Sequence, residues 1–354
     1  MATDRKRALV LGATGVVGRN VLRHLIALGD WDVIAVSRRK PDIEGDYRHV
    51  PVDLLDGRET KARLGQPLGI THVFYAAYIE RPSPAETVAP NIAMLANVMD
   101  AIEPVSPQLT HVNLMHGTKW YGSHLGPFPT PAREDDPRHM PPNFYHDQQD
   151  WIAARQKGKA WSWSTARPHA VCGFAVGNPM NLVMAIAVYA AISKALGLPL
   201  RFPGTEASYR ALYQCTDSAL LAKGVLWMAQ KPRCANQAFN ITNGDLIRWE
   251  RVWPRFADYF GMAHGPPQRI QLAHMMQDKA PAWERLVVEH GLQPIPYGEI
   301  VRWAYGDYVF STGYDVISST MKAREYGFAE FLDTEKMFLR QFDELRERKI
   351  IPRF

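Results

Sequence analysis

The sequence predicts an α/β fold: a doubly wound parallel sheet with a mainly helical C-terminal cap. Three observations carry that expectation. Apolar runs of strand length alternate with helical repeats as far as Pro168. Three glycines, Gly12, Gly15 and Gly18, fall directly between the first apolar run and the first helical repeat. Beyond Pro168 the strand runs thin out, and long apolar helical segments rich in Trp, Tyr and Met take over.

Ala8 to Leu11 is too short for a helix and reads as a buried strand. Val21, Leu22, Leu25, Ile26 and Leu28 then recur at helical spacing until Gly29 closes the helix. Gly12 permits a tight turn, Gly15 lets backbone approach a pyrophosphate, and Gly18 lets helix and strand pack closely. The helix N-terminus supplies unpaired N–H groups and partial positive charge. Strand, turn and helix in this order make a dinucleotide site of the Rossmann kind, carried by Gly12, Thr14, Gly15, Val16, Val17 and Gly18.

Asp32 to Ser37 is the second strand, and Arg38-Arg39-Lys40 follows it. An NAD site usually has an acid near this strand end for the ribose 2′-hydroxyl. Ser37, Arg38 and Arg39 stand there instead, and guanidinium groups bind a 2′-phosphate that a carboxylate would repel. The expected cofactor is therefore NADPH/NADP+. Tyr47 to Leu54 is the third strand, where Asp53 either accepts from the adenine amino group or caps the turn before Leu55. Thr71 to Ala77 is the fourth, and its small final residues Ala76 and Ala77 leave room for a cofactor to cross. Asn91 to Ala101 is helical, while Leu109 to Met115 and Trp161 to Pro168 complete the sheet pattern.

Asn181 to Leu196 is a long apolar helix and Leu200 to Pro203 is extended. Thr216 to Met228, Trp249 to Phe260, Met275 to His290 and Thr334 to Arg346 read as helices. Gln237 to Ile241 reads as a strand that rejoins the sheet edge. The expected division is a dinucleotide-binding domain over 1–175, rejoined by about 236–248, and a cap over 176–235 and 249–354.

Composition narrows the function. With 46% hydrophobic and 22% charged residues, the 354-residue chain has a globular balance. A net charge of +5 without a basic run or aromatic-basic interleaving gives no nucleic-acid face. No apolar run reaches the roughly 18 residues of a membrane span, and the N-terminal residues leave no room for a signal peptide. Cys172, Cys215 and Cys234 are scattered, forming neither a disulfide framework nor a metal site, which fits a cytoplasmic protein. A cap rich in Trp, Tyr and Met suits a largely apolar small-molecule substrate, and a homodimer is one arrangement the chain allows.

A nicotinamide enzyme of this architecture needs a donor or electrostatic clamp beside the carbonyl that reduction activates. Short-chain dehydrogenases commonly use a tyrosine with a lysine four residues later. None of the 14 tyrosines has one. Two other segments occupy suitable places. His116-Gly-Thr-Lys119-Trp-Tyr121-Gly follows the fifth strand, and Asn143-Phe144-Tyr145 opens the next helix with Gln149 where the lysine would be. Lys119 could reach the site from the strand side and Tyr145 from the helix side, with Tyr121 a competing candidate.

These residues carry a resemblance. Thr14 to Gly18, His72-Val-Phe-Tyr, Gly117-Thr-Lys119-Trp-Tyr-Gly, Asn143-Phe-Tyr145, Arg167-Pro168, the run from Gly173 to Asn181 and Glu325-Tyr-Gly-Phe328 resemble the progesterone 5β-reductase/iridoid synthase (PRISE) group of atypical short-chain dehydrogenases. The resemblance spans nearly the whole chain. It implies Tyr145 and Lys119 as the catalytic pair and NADPH-dependent reduction of an activated C=C bond. It also implies cofactor contacts from Leu54, His116, Tyr145, Pro168 and Val171, and substrate contacts from Tyr121, Phe144 and Tyr305. Two positions depart from the group's pattern: His146 stands where a second tyrosine is usual, and Trp120 where a histidine follows the lysine. The competing readings are a carbonyl reductase, a sugar-nucleotide epimerase and a non-catalytic NADP-binding redox sensor.

Overall fold

The computed structural model describes residues 5–178 and 180–354. The chain divides into two compact units. One runs to His169 and takes in Ser218–Ile241 and Ser319–Ala329; the other comprises Ala170–Asp217, Thr242–Ser318 and Glu330–Phe354.

The first unit is built on strands β1 (Lys6–Leu11), β2 (Trp31–Val36), β3 (Arg48–Val50), β4 (His72–Tyr75), β5 (His111–Met115) and β6 (Ser162–Arg167). Their order is β3-β2-β1-β4-β5-β6, the strand Gln237–Asn240 joins beyond β6, and every pairing is parallel. The chain leaves β1 towards one edge and returns at β4 towards the other. That reversal places a crevice at the carboxyl ends of β1 and β4, where ligands bind in such sheets.

Alternation along the strands divides the faces. Leu9, Leu11, Val73, Tyr75, Val112 and Leu114 enter one core with Leu95, Val98, Met99 and Ile102 of helix α3 (Pro84–Ile102). Truncating a fully buried leucine such as Leu95 to alanine would cost about 2–5 kcal/mol. Helices α1 (Val16–Leu28), α2 (Gly57–Leu64) and α4 (Phe144–Gln156) complete the pattern. Gly29 ends α1 in the left-handed conformation, as the sequence predicts.

Four elements differ from expectation. Helix α3 begins at Pro84 rather than near Asn91, because Ser83 caps it by accepting from the Glu86 N–H and the helix continues through Pro90. The segment Met275–His290 is two helices, Leu272–Met275 and Ala280–His290, with Pro281 in the first turn of the second. The helix Ser218–Gln230, expected in the cap, belongs to the sheet unit. Its Met228 sulfur lies 4.0 Å from Asn113 of β5, and Trp227 packs on Phe239 of the edge strand. The third strand is also shorter than the expected Tyr47–Leu54.

The second unit is mainly helical. Leu182–Ala195 is buried from Leu182 through Ser193, so it forms a central helix. Trp249, Trp253, Phe256, Phe310, Phe338 and Phe342 form a continuous aromatic core in the same unit. Among the described residues no helix is long and apolar enough to cross a membrane.

Candidate active site

The glycine turn has the geometry its sequence requires. Gly12 has φ +74°, and a Cβ there would lie 2.6 Å from the Ala76 carbonyl oxygen. A Cβ on Gly18 would lie 2.3 Å from the Gly12 carbonyl oxygen, so any side chain would force α1 off β1. A Cβ on Gly15 would meet only the Gly12 carbonyl oxygen, at 3.4 Å. Gly15 also caps α1 without a side-chain bond, and the first turn holds no acid. An uncapped helix start behind a glycine turn fits a pyrophosphate.

Past β2, the buried Ser37 hydroxyl donates to the Arg39 carbonyl oxygen at 2.7 Å and holds the loop. Arg38 and Arg39 are exposed, and among the described residues no carboxylate pairs with either. They suit a phosphate monoester. Asp53 caps its turn: its carboxylate accepts from the Leu55 N–H at 3.0 Å. The Leu54 carbonyl is held by Asn97 at 2.8 Å. The Ala76 N–H donates to Leu11 at 3.1 Å, and Ala76 and Ala77 are half-buried.

Beyond β5, the His116 N–H donates to Ala166, and Thr118 donates to the Pro168 carbonyl from both its N–H and its hydroxyl, each at 3.1 Å. These bonds tie the turn Thr118–Tyr121 to the end of β6. The turn closes at Gly122, with φ +81°. Asn143 caps α4, its Oδ1 accepting from the Tyr145 N–H at 3.0 Å. Its Nδ2 donates to the Lys119 carbonyl oxygen at 2.8 Å. One carboxamide therefore joins the main chains of both expected catalytic residues.

Tyr145 Oη reaches over Gly117, lying 3.4 Å from where a Cβ on that glycine would sit; the Pro168 carbonyl oxygen lies equally close to the same point. The Tyr145 ring is 4.9 Å from the His116 ring. Burial, with Arg167 and His146 adding to it, holds the His116 pKa well below the usual imidazole range, so the ring is neutral. Neither His116 ring nitrogen has a hydrogen-bond partner among the described residues. Lys119 is half-buried. Burial lowers its pKa below the ordinary lysine value, and the charge of Glu80 partly opposes that.

The place of the usual lysine, four residues after the tyrosine, is used differently. Gln149 accepts from Arg167 at 3.2 Å. The Arg167 guanidinium, buried 3.7 Å from the Trp120 ring, also donates to Tyr121 Oη at 3.0 Å and to the Glu134 carbonyl at 3.1 Å. Tyr121 Oη in turn donates to Asn240 at 2.7 Å. Tyr121, expected to contact substrate, is buried with its hydroxyl joined to this framework. The two departures from the group's pattern meet each other. Trp120 packs edge-on against His146 at 4.5 Å, and His146 Nε2 lies 3.1 Å from the Trp120 carbonyl oxygen.

Phe144 is half-buried and stacks on Tyr78 at 5.4 Å. Val171 and Tyr305 belong to the second unit, Val171 paired with Thr216 and Tyr305 stacked near Tyr308 at 6.2 Å. Among the described residues there is no cluster of three or more potential metal ligands. The sequence pattern assigns no role to Asn143 or His139, although a capping residue directly before α4 is a signal for Asn143.

A family model described as a PRISE-like Rossmann-fold domain matches residues 52–352. The chain is 35% identical over 366 residues to an (S)-8-oxocitronellyl enol synthase of Nepeta cataria, covering 98% of this chain and 93% of that protein. It is 34% identical over 368 residues to a 3-oxo-Delta(4,5)-steroid 5-beta-reductase of Arabidopsis thaliana, again covering 98% and 93%. A UDP-glucose 4-epimerase structure from Thermus thermophilus superposes with a TM-score of 0.67 at 16% identity, covering 96% of this chain and 99% of that one, which shows a shared fold. Agreement of the family model with relatives aligned along nearly the full length means that this chain belongs to the PRISE-like Rossmann-fold family.

Proposed function

We propose that the protein is an NADPH-dependent oxidoreductase that reduces the activated C=C bond of small or medium-sized apolar enones. The observation that carries this reading is the Asn143 carboxamide, which links Tyr145 and the Lys119 turn at the carboxyl end of the sheet. Names such as steroid 5-beta-reductase among the relatives support the same reaction class. The paired change to Trp120 and His146 argues against carrying over those relatives' own substrates.

Gly12, Thr14, Gly15, Val16, Val17 and Gly18 would hold the pyrophosphate, Ser37 would brace the loop, and Arg38 and Arg39 would hold the 2′-phosphate. Asp53, Leu54, Ala76 and Ala77 would border the adenosine half, and His116 and Pro168 the nicotinamide half. When bound, the nicotinamide supplies hydride to the enone β-carbon. Negative charge then collects on the carbonyl oxygen. Tyr145 Oη donates a hydrogen bond to that oxygen and the Lys119 ammonium stabilises its charge, holding the enolate until it is protonated at carbon. Phe144 would wall the apolar part of the substrate. The neutral His116 ring beneath Tyr145 adds no second cation. We place the activity in the cytoplasm, where Cys172, Cys215 and Cys234 stay as the buried free thiols they are.

The pair is tested by Tyr145→Phe. Enone turnover should fall about 10²–10³-fold while NADPH affinity persists. Unchanged turnover would remove Tyr145 from the mechanism.

A further inference from the structure

His139 lies in the Pro-rich segment between β5 and α4, and nothing above gives it a role. Its ring rests against Gly122, where a Cβ would come within 3.2 Å of the histidine Cβ and 3.3 Å of Cγ. The glycine that closes the Lys119 turn therefore also makes room for this ring. His139 Nδ1 lies 2.7 Å from the Met140 carbonyl oxygen. His139 Nε2 lies 2.9 Å from Asn143 Nδ2 and 3.0 Å from the Lys119 carbonyl oxygen.

These contacts constrain the protons. Nδ1 faces the Met140 carbonyl oxygen, whereas Nε2 faces the Asn143 amide as well as the Lys119 carbonyl, so the neutral ring that satisfies more of these groups carries its proton on Nδ1 and accepts at Nε2. Asn143 Nδ2 then spends one hydrogen on the Lys119 carbonyl and the other on His139, while Oδ1 takes the Tyr145 N–H. A protonated ring reverses this. Nε2 becomes a donor directed at the Lys119 carbonyl and opposes the Asn143 amide hydrogens at 2.9 Å. The carboxamide is then driven to turn its oxygen towards His139, which gives up both main-chain bonds.

We propose that His139 is a positioning residue for the Lys119–Tyr145 pair: by accepting at Nε2 it fixes which way the Asn143 carboxamide faces. The inference rests on the functional reading above and deepens it. Several charged or titratable groups surround the ring. Lys119 and His124 lie on the turn side, and His146, Asp147 and Asp150 on α4. Arg138 in its own segment is paired with Asp150 at 2.6 Å. Burial holds His124 down to about 4 and lowers His146, so both rings tend to stay neutral around it.

The test compares wild type, His139→Gln and His139→Leu at one neutral pH. Protein carrying ¹⁵N in Asn and His side chains is followed by NMR, alongside enone turnover and NADPH affinity. Glutamine offers an acceptor oxygen, so His139→Gln should keep the wild-type turnover and the wild-type Asn143 side-chain amide signals. Leucine offers none, so His139→Leu should turn over about threefold to tenfold more slowly, as the loss of one hydrogen bond gives, and its Asn143 amide signals should shift. NADPH affinity should stay constant in all three. Asn143 amide signals left unchanged by His139→Leu overturn the proposal, as does a His139→Gln variant as slow as His139→Leu. If wild type reduces no enone, the functional reading fails, and the amide signals still decide the role of His139.

Discussion

Asn143 Nδ2 donates to the Lys119 carbonyl oxygen across 2.8 Å, and Oδ1 of the same carboxamide accepts from the Tyr145 N–H at 3.0 Å. Two residues distant in sequence thus share one small, rigid linker. Asn143→Asp keeps the cap and loses the donor to Lys119, so turnover should fall about tenfold with a nearly unchanged melting temperature. Asn143→Ala loses both and should also destabilise the protein by about 1 kcal/mol. Turnover and thermal melts on the two variants separate positioning from capping.

The state of Lys119 gives a second prediction. In the proposed mechanism its ammonium is the useful form, and burial lowers its pKa relative to an ordinary lysine. Activity should therefore fail on the alkaline side at a lower pH than an ordinary lysine would allow. Lys119→Met should turn over slowly at every pH and lack that alkaline limb. A full pH–rate profile of both proteins checks it.

The proposed preference for NADPH rests on Arg38 and Arg39. A charge-assisted hydrogen bond is worth about 1.5–3 kcal/mol, so replacing both with alanine should weaken NADPH by about 100-fold or more. NADH affinity should change little. Fluorescence titration of each cofactor measures the ratio; a native protein preferring NADH by tenfold or more would contradict the assignment.

Buried histidines make acid stability a further test. Burial of the neutral ring holds His72 down to about 4, with Lys6 adding to it, and holds His111 and His169 down to about 3. His111 sits between the hydroxyls of Ser162 and Ser164, at 2.8 and 2.7 Å. In the unfolded chain such rings protonate near pH 6.5, so unfolding takes up protons as pH falls below that value. Stability is present above about pH 6.5 and drops as pH falls towards 4, by up to about 1.4 kcal/mol per pH unit for each ring. Denaturant melts across that window should steepen with acid, and His111→Gln should flatten the curve.

Local pattern made much of the fold legible. The strand, glycine turn and helix from Lys6 to Leu28 form as expected, with Gly12 and Gly18 answering close contacts that their neighbours dictate. The strand Gln237–Asn240 does rejoin the sheet edge. Prolines misled in opposite directions: Pro90 hid the first turns of α3, while Pro281 marked a helix start inside what read as one segment. The placement of Ser218–Gln230 depended on contacts with Asn113 and Phe239, which no local spacing encodes. At the site, Lys119 and Tyr145 stood out as residue types in specific motifs. Their linkage through Asn143, and the capture of Gln149 and Tyr121 by Arg167, arise only when three separate segments meet.

In the proposed reaction, hydride reaches the β-carbon of an enone while the enolate that forms is held at its oxygen. Incubating the protein with cyclohexenone and NADPH deuterated at the transferable position, then locating the label, decides whether it does. Cyclohexanone bearing deuterium on the β-carbon is the expected product. Deuterium on the carbinol carbon of an allylic alcohol would contradict it and make the protein a carbonyl reductase.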